Sequence, residues 1–212
     1  MLKIEKTVLP SPEQWEIIIE GMRNPMNSWD KMDSDTIYVG QGDETFVLGD
    51  NDHKLMMNLA NGGAVHAKYR RMIPVFLTIN APLYWWKEFD TYKVGTVANS
   101  CSTMHKIHTK EFTLDDFSHE HLSNTCRHHL RWTICLINDA RIGFLETKDK
   151  DWWWHMIQLL PTSYNQKRTV MLNYEVLVNI YHSRKNHKLD EWHTFCDWIK
   201  ALPYSELITG GE

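Results

Sequence analysis

Across residues 173–184, NYEVLVNIYHSR, the apolar positions Val176, Leu177, Ile180 and Tyr181 recur at helical spacing among polar ones. That is the pattern of an amphipathic helix. Elsewhere the chain alternates helix signals with short apolar runs. Ser11-Pro12-Glu13-Gln14 has an N-cap hydroxyl followed by a proline at the first helical position, so a helix is expected from there to about Gly21 or Met22. Residues 41–52 read as turn-rich, and residues 52–60 as a helix stopped by Gly62-Gly63. Within 68–80 the run 73–79 has strand character, with Pro74 implying an edge or a bulge. A bulky helix is expected over 83–92, a loop of small polar residues over 95–104, and a helix over 130–140 inside the mixed stretch 115–138. Residues 152–160 fit a helix or a short strand, 166–183 a helix and 189–201 another, with residues 209–212 frayed at the end. Helices accompanied by an isolated sheet make the expected class α+β.

Composition narrows the field. The 212 residues suit a single domain spanning 1–212, large enough for a real core, and 42% hydrophobic with 24% charged residues is ordinary for a soluble globular chain. A net charge of −4 argues against a nucleic-acid surface, although one local pocket can still be positive enough for a small nucleotide. The four cysteines, Cys101, Cys126, Cys135 and Cys196, lack paired spacing, as in reduced cytoplasmic proteins. Neither a signal-peptide pattern nor an apolar run long enough for a membrane span is present, so a cytoplasmic protein without membrane contact is expected. Ten tryptophans stand out, with Trp85-Trp86 and Trp152-Trp153-Trp154 dense enough to line a cofactor or to bury area at a subunit contact.

Candidate chemistry starts from the polar residues of 173–184. Asn173 and Arg184 lie eleven positions apart, about 20° from one helical face, and Asn179 sits to one side. Amides and a guanidinium fixed on one helix offer preset donors and acceptors for a planar heterocycle; the alternative is a surface helix whose polar residues only meet water. Twelve histidines invite a metal site, but His119, His121, Cys126, His128 and His129 follow no recurrent ligand spacing, and none is expected. Cys101, between Ser100 and Ser102, fits a nucleophile, a small contact residue or simple packing. There is no glycine-rich phosphate loop, which disfavours a Rossmann site or a P-loop.

Taken together, these residues resemble the flavin-dependent thymidylate synthases, with interruptions, from about Arg23 to Trp192. That family has an asparagine, a second six residues on, and an arginine five later; Asn173, Asn179 and Arg184 keep this spacing. Leu159-Leu160-Pro161 match the family's strand end upstream, and Arg23, Ser28, Trp29 and Asp30 match its N-terminal arginine, serine, aromatic and acid. His66, the strand around 75–79, Ala81-Pro82 and a helix follow in the family's order. Departures are as informative. At the place of the defining Arg-His-Arg motif, with a serine after seven further residues, the chain reads Thr91-Tyr92-Lys93 and then Cys101. Family arginines correspond to Thr103, Ile157 and Glu175, and a family glutamine to Glu88.

The resemblance implies an α+β fold with a central antiparallel sheet and flanking helices, a homo-oligomer (tetrameric in the relatives) and a flavoenzyme. The family reaction converts dUMP to dTMP through reduced FAD, using methylenetetrahydrofolate and NADPH. Arg184 would polarise the pyrimidine where negative charge develops. Ser28, His66, Asn173 and Asn179 would contact FAD, with Thr91, Tyr92 and Lys93 in the motif's place. Glu88 and the loop Asn99, Ser100, Cys101, Ser102 and Thr103 would face the nucleotide. Two alternatives accompany this reading. Glu88, an acceptor where the family has an amide, could favour a donor-bearing base, as in hydroxymethylation of dCMP. Or the chain could be a non-catalytic assembly protein without flavin.

Overall fold

The structure is a computed structural model that describes residues 1–40 and 42–211. In chain order it forms β1 (Lys3–Val8), α1 (Pro12–Arg23), β2 (Asp35–Gly40), β3 (Asp43–Val47), α2 (Asp50–Asn61), β4 (Pro74–Pro82), α3 (Leu83–Phe89), β5 (Val97–Ser100), α4 (Asn124–Thr147), α5 (Lys150–Leu159), β6 (Asn165–Asn173), α6 (Tyr174–Arg184), α7 (Asp190–Lys200) and α8 (Glu206–Thr209). Strands β1, β4, β6 and β5 build a four-stranded sheet in that order, and β2 and β3 pair antiparallel, with Thr36 opposite Phe46. The architecture is α+β.

Helix starts follow their local chemistry. Ser11 and Gln14 form a capping box at α1, with Pro12 at the first helical position, as the sequence predicts. The strands depart from expectation. Residues 166–183 are not one helix: β6 runs to Asn173 and α6 begins at Tyr174. Gln166, Val170 and Leu172 are buried while Lys167 and Thr169 are exposed, the period of two that a strand requires. The spacing of Val170, Tyr174 and Leu177 imitates a helix and hides that alternation. Asn173 therefore caps α6 in extended conformation (φ −134°) and does not share the helical face with Arg184.

Three further segments differ. The stretch expected as turns holds β3 from Asp43, Gln41 lying outside the described residues, and the expected loop 95–104 holds β5, whose residues are all exposed. Leu159, Leu160 and Pro161 close α5, a helix, and are not a strand end. At the C-terminus Thr209 is buried in α8, with Gly210 at φ 79° just beyond; Glu212 lies outside the described residues. Pro74 is the first residue of β4, an inner strand and not an edge, and the first position of a strand tolerates its missing N–H.

Contacts divide the chain into two compact units whose boundaries fall inside β1, β4, β5 and β6 and between Thr91 and Tyr92. One comprises Lys6–Leu77, Tyr92–Val97 and Val170–Glu212. Here α1 packs on the β2–β3 hairpin, where Trp15 stacks on Phe46 at 5.5 Å, and α6 packs on α7 and α8. The other comprises Met1–Glu5, Thr78–Thr91 and Ala98–Thr169. Its core lies between α4 and α5, around Ile134, Ile137, Ala140 and Met156. Among the described residues no helix is long and apolar enough to cross a membrane.

Candidate functional site

Arg184 ends α6 and is half-buried. Its Nε donates to the Tyr92 hydroxyl at 2.9 Å, and its guanidinium carbon lies 4.8 Å from the centre of the Trp192 ring and 5.6 Å from that of Tyr92. Trp192, on the first turn of α7, is fully buried and meets Tyr92 edge-on at 6.2 Å. A cation against the Trp192 ring with one N–H held by a phenol is a preset group, since few rotamers satisfy both contacts. Asn173 Oδ1 accepts from the Val176 N–H at 3.1 Å, and a Cβ on Gly95 would lie 3.2 Å from Asn173 Nδ2, so the 92–97 segment passes close over the start of α6. Asn179 is exposed on α6.

Ser28 belongs to a buried network. Arg23, at the end of α1, donates from Nε to Asp52 at 2.5 Å and from Nη1 to both the carbonyl and the hydroxyl of Ser28 at 3.2 Å. Asp52 is fully buried and also accepts from the Asp33 and Ser34 N–H groups and the Ser34 hydroxyl. Burial alone would raise its pKa; the Ser34 hydroxyl, the two N–H groups and Arg23 outweigh burial and hold it below the ordinary carboxylate value. A cavity of about 550 Å³ lies here, lined by Arg23, Met26, Ser28, Asp30, Lys31, Asn51 and Leu55. Met26 also lines a second cavity of about 300 Å³ whose other walls include Met22, Leu59, His66 and Tyr69. Ser28 and His66, far apart in sequence, thus line cavities with a common wall.

The remaining candidates lie in the second unit. Glu88 is half-buried, and the Thr91 hydroxyl turns back to its carbonyl at 2.7 Å. Asn99 and Ser100 are exposed on β5, and the Cys101 N–H donates to the Lys167 carbonyl at 2.9 Å. Cys101 and Ser102 line a cavity of about 200 Å³ with Lys106, Lys110, Asp116 and Tyr164; burial pushes the Tyr164 phenol up to about 12, so it stays a donor. Thr103 is half-buried, and Lys93, back in the first unit, is exposed. Arg168 reaches Asp90 at 2.7 Å and lies over Trp86 at 4.3 Å, a basic group beside this loop that sequence reading overlooked.

Two of the family departures have local explanations. Ile157 packs against the core between α4 and α5. Glu175 accepts from buried Arg70 at 2.8 Å in the first unit, so an arginine at 175 would leave two positive charges facing each other. Asp52 and Arg70 went unnoticed as partners because each lies far in sequence from the residue it holds, and Trp192 because it stands on a different helix from Arg184.

No family model matches the chain, and no curated protein does. Solved structures match along almost its whole length. Thymidylate Synthase X (ThyX) from Helicobacter pylori, in complexes with FAD and dUMP, superposes with a TM-score of 0.65 at 15% identity, covering 97% of this chain and 94% of that one in the first complex. A UMP/dUMP methylase from Streptomyces cacaoi, bound with 5-Br dUMP, superposes at 0.60 and 12% identity, covering 99% and 94%. The chain therefore has the fold of the flavin-dependent thymidylate synthases.

Proposed function

We propose that this protein is a flavin-dependent pyrimidine nucleotide methylase. It converts dUMP to dTMP with methylenetetrahydrofolate as carbon donor and NADPH as reductant, through bound FAD. The observation that carries the reading is Arg184 held at the end of α6 by the Tyr92 hydroxyl and the Trp192 ring, in a chain whose fold is shared along almost its whole length with proteins bound to FAD and dUMP. A preorganised guanidinium stabilises negative charge as it develops on the pyrimidine, without reorganising at that moment.

The residues present suit a flavin nucleotide. The two cavities sharing Met26 fall within the usual size range of ligand sites. One offers apolar and aromatic walls at Met22, Leu59 and Tyr69, fit for a flat ring; the other offers Ser28, Lys31 and Asn51, fit for a polar, phosphate-bearing tail. When bound, the flavin supplies the reductive chemistry. The protein's part is to hold it and to orient the pyrimidine. A homo-oligomer, a tetramer or at least a dimer, accompanies this reading, because the family it resembles builds its sites from several chains.

The test is the absorption spectrum of the purified protein, an FAD titration, and turnover of dUMP against dCMP with methylenetetrahydrofolate and NADPH. The expected result is a yellow protein, or FAD binding at micromolar levels, with dUMP preferred. A colourless protein that takes up no FAD overturns the reading. Preference for dCMP would transfer it to a hydroxymethylase-type reaction.

A further inference from the structure

Tyr92 stands where the family motif has its central residue, and its hydroxyl and ring are both directed to Arg184: the hydroxyl accepts from Nε at 2.9 Å and the ring centre lies 5.6 Å from the guanidinium carbon. Trp192 supports the same guanidinium at 4.8 Å and is itself braced edge-on by Phe195 at 6.0 Å and by His187 at 6.3 Å. An arginine ending a helix ordinarily samples many rotamers, and each immobilised long side chain costs conformational entropy that must be met at binding or beforehand. Here the cost is met in the folded chain.

We propose that Tyr92 is a positioning residue of Arg184: its phenol holds Nε of the guanidinium beside the Trp192 ring and so restricts the orientation in which the charge is presented to the pyrimidine. This rests on the reading of Arg184 as the group that faces the base. It assigns Tyr92 work that stacking on a flavin would not do, and it explains how the site tolerates a tyrosine at that position. A histidine side chain is shorter and presents no hydroxyl at this reach. The phenol accepts from Nε on one side and Trp192 supports the guanidinium on another, so the two side chains together restrict its rotation.

Three variants test it. Tyr92→Phe keeps the ring and removes the acceptor, Tyr92→Leu removes both, and Arg184→Lys identifies the Arg184 Nε–H resonance by its disappearance. The expected result is an Arg184 Nε–H that exchanges slowly in the wild type, about tenfold faster in Tyr92→Phe, and faster still in Tyr92→Leu. Turnover of dUMP should fall about ten- to a hundredfold in Tyr92→Phe with KM nearly unchanged, the signature of misorientation at the reacting centre. Unchanged exchange in Tyr92→Phe, or faster exchange with undiminished kcat, overturns the proposal. If the wild type binds FAD but turns over no pyrimidine nucleotide, the reading of Arg184 fails, while the exchange data still decide whether Tyr92 holds it. A merely structural Tyr92 would lower the melting temperature and leave both readouts in place.

Discussion

Asp52 is the residue on which the region around Ser28 depends. It is 0% exposed and holds Arg23, the Asp33 and Ser34 backbone and the Ser34 hydroxyl together. A buried ion pair of this kind adds little when compared with an apolar replacement, yet removing one partner leaves the other charge stranded at a cost of about 3–5 kcal/mol. Asp52→Asn is therefore expected to lower the melting temperature by roughly 10 °C. The pH dependence follows from the depressed carboxyl. Its stabilisation is fully present above the unfolded-state pKa and is lost as pH falls through the lower, folded-state value. Denaturant unfolding between pH 7 and pH 3 should show wild-type stability falling on the acid side and a flatter profile in Asp52→Asn. Equal acid slopes in the two proteins would remove Asp52 from the explanation.

At the scale of an element, α2 shows how a helix start can be supplied from elsewhere. Its N-cap, Gly49, has no side chain to offer, and Asp33 caps the helix instead, accepting from the Asn51 N–H at 2.8 Å and the Asp52 N–H at 3.0 Å. The helix start and the Asp33 strand entry are thus stitched in both directions, since Asp52 accepts in return. Gly49 is needed for this approach: a Cβ there would sit 2.3 Å from the Asp33 side chain and 2.4 Å from its carbonyl carbon. Gly49→Ala should destabilise by about 1–3 kcal/mol through overpacking, although alanine is normally the better residue near a helix. Thermal unfolding of Gly49→Ala against the wild type checks it, and a neutral or stabilising result would show that Asp33 yields easily. None of this is visible in the run that the sequence presents as turn-rich, because the capping group lies sixteen positions away.

For the whole molecule, large apolar side chains left in the open point to further association. Trp132 on α4 is 63% exposed and Trp154 on α5 41%, while Tyr38 on the hairpin is 67% exposed. Where such side chains form one patch, they usually mark a contact with a partner. Light scattering is expected to give a homo-oligomer, a tetramer if the family arrangement holds, and Trp132→Glu to lower the mass if that face is used. A stable monomer at enzyme-like concentrations would remove the oligomer and with it the expectation that the flavin is enclosed by several chains.

By itself the sequence determined the helices with strong local signals. The Ser11–Gln14 capping box announced α1, apolar spacing announced α6 and α7, and the α+β class followed. It also determined the family-like order of Arg23, Ser28, His66, Asn173, Asn179 and Arg184, since spacing along a chain is visible without a fold. What only the tertiary structure decided was every pairing across long separations and every strand whose pattern is weak. Strand β5 is exposed throughout and has no alternation to read; β6 carries apolar residues that also fit a helix, and burial between neighbours chose the strand. Likewise Arg184 acquires its direction from Tyr92, ninety-two positions earlier, and from Trp192 on another helix. Glu175 acquires its meaning from Arg70. Local propensity is written in neighbouring residues, whereas the partner of a buried charge is settled by which elements pack together.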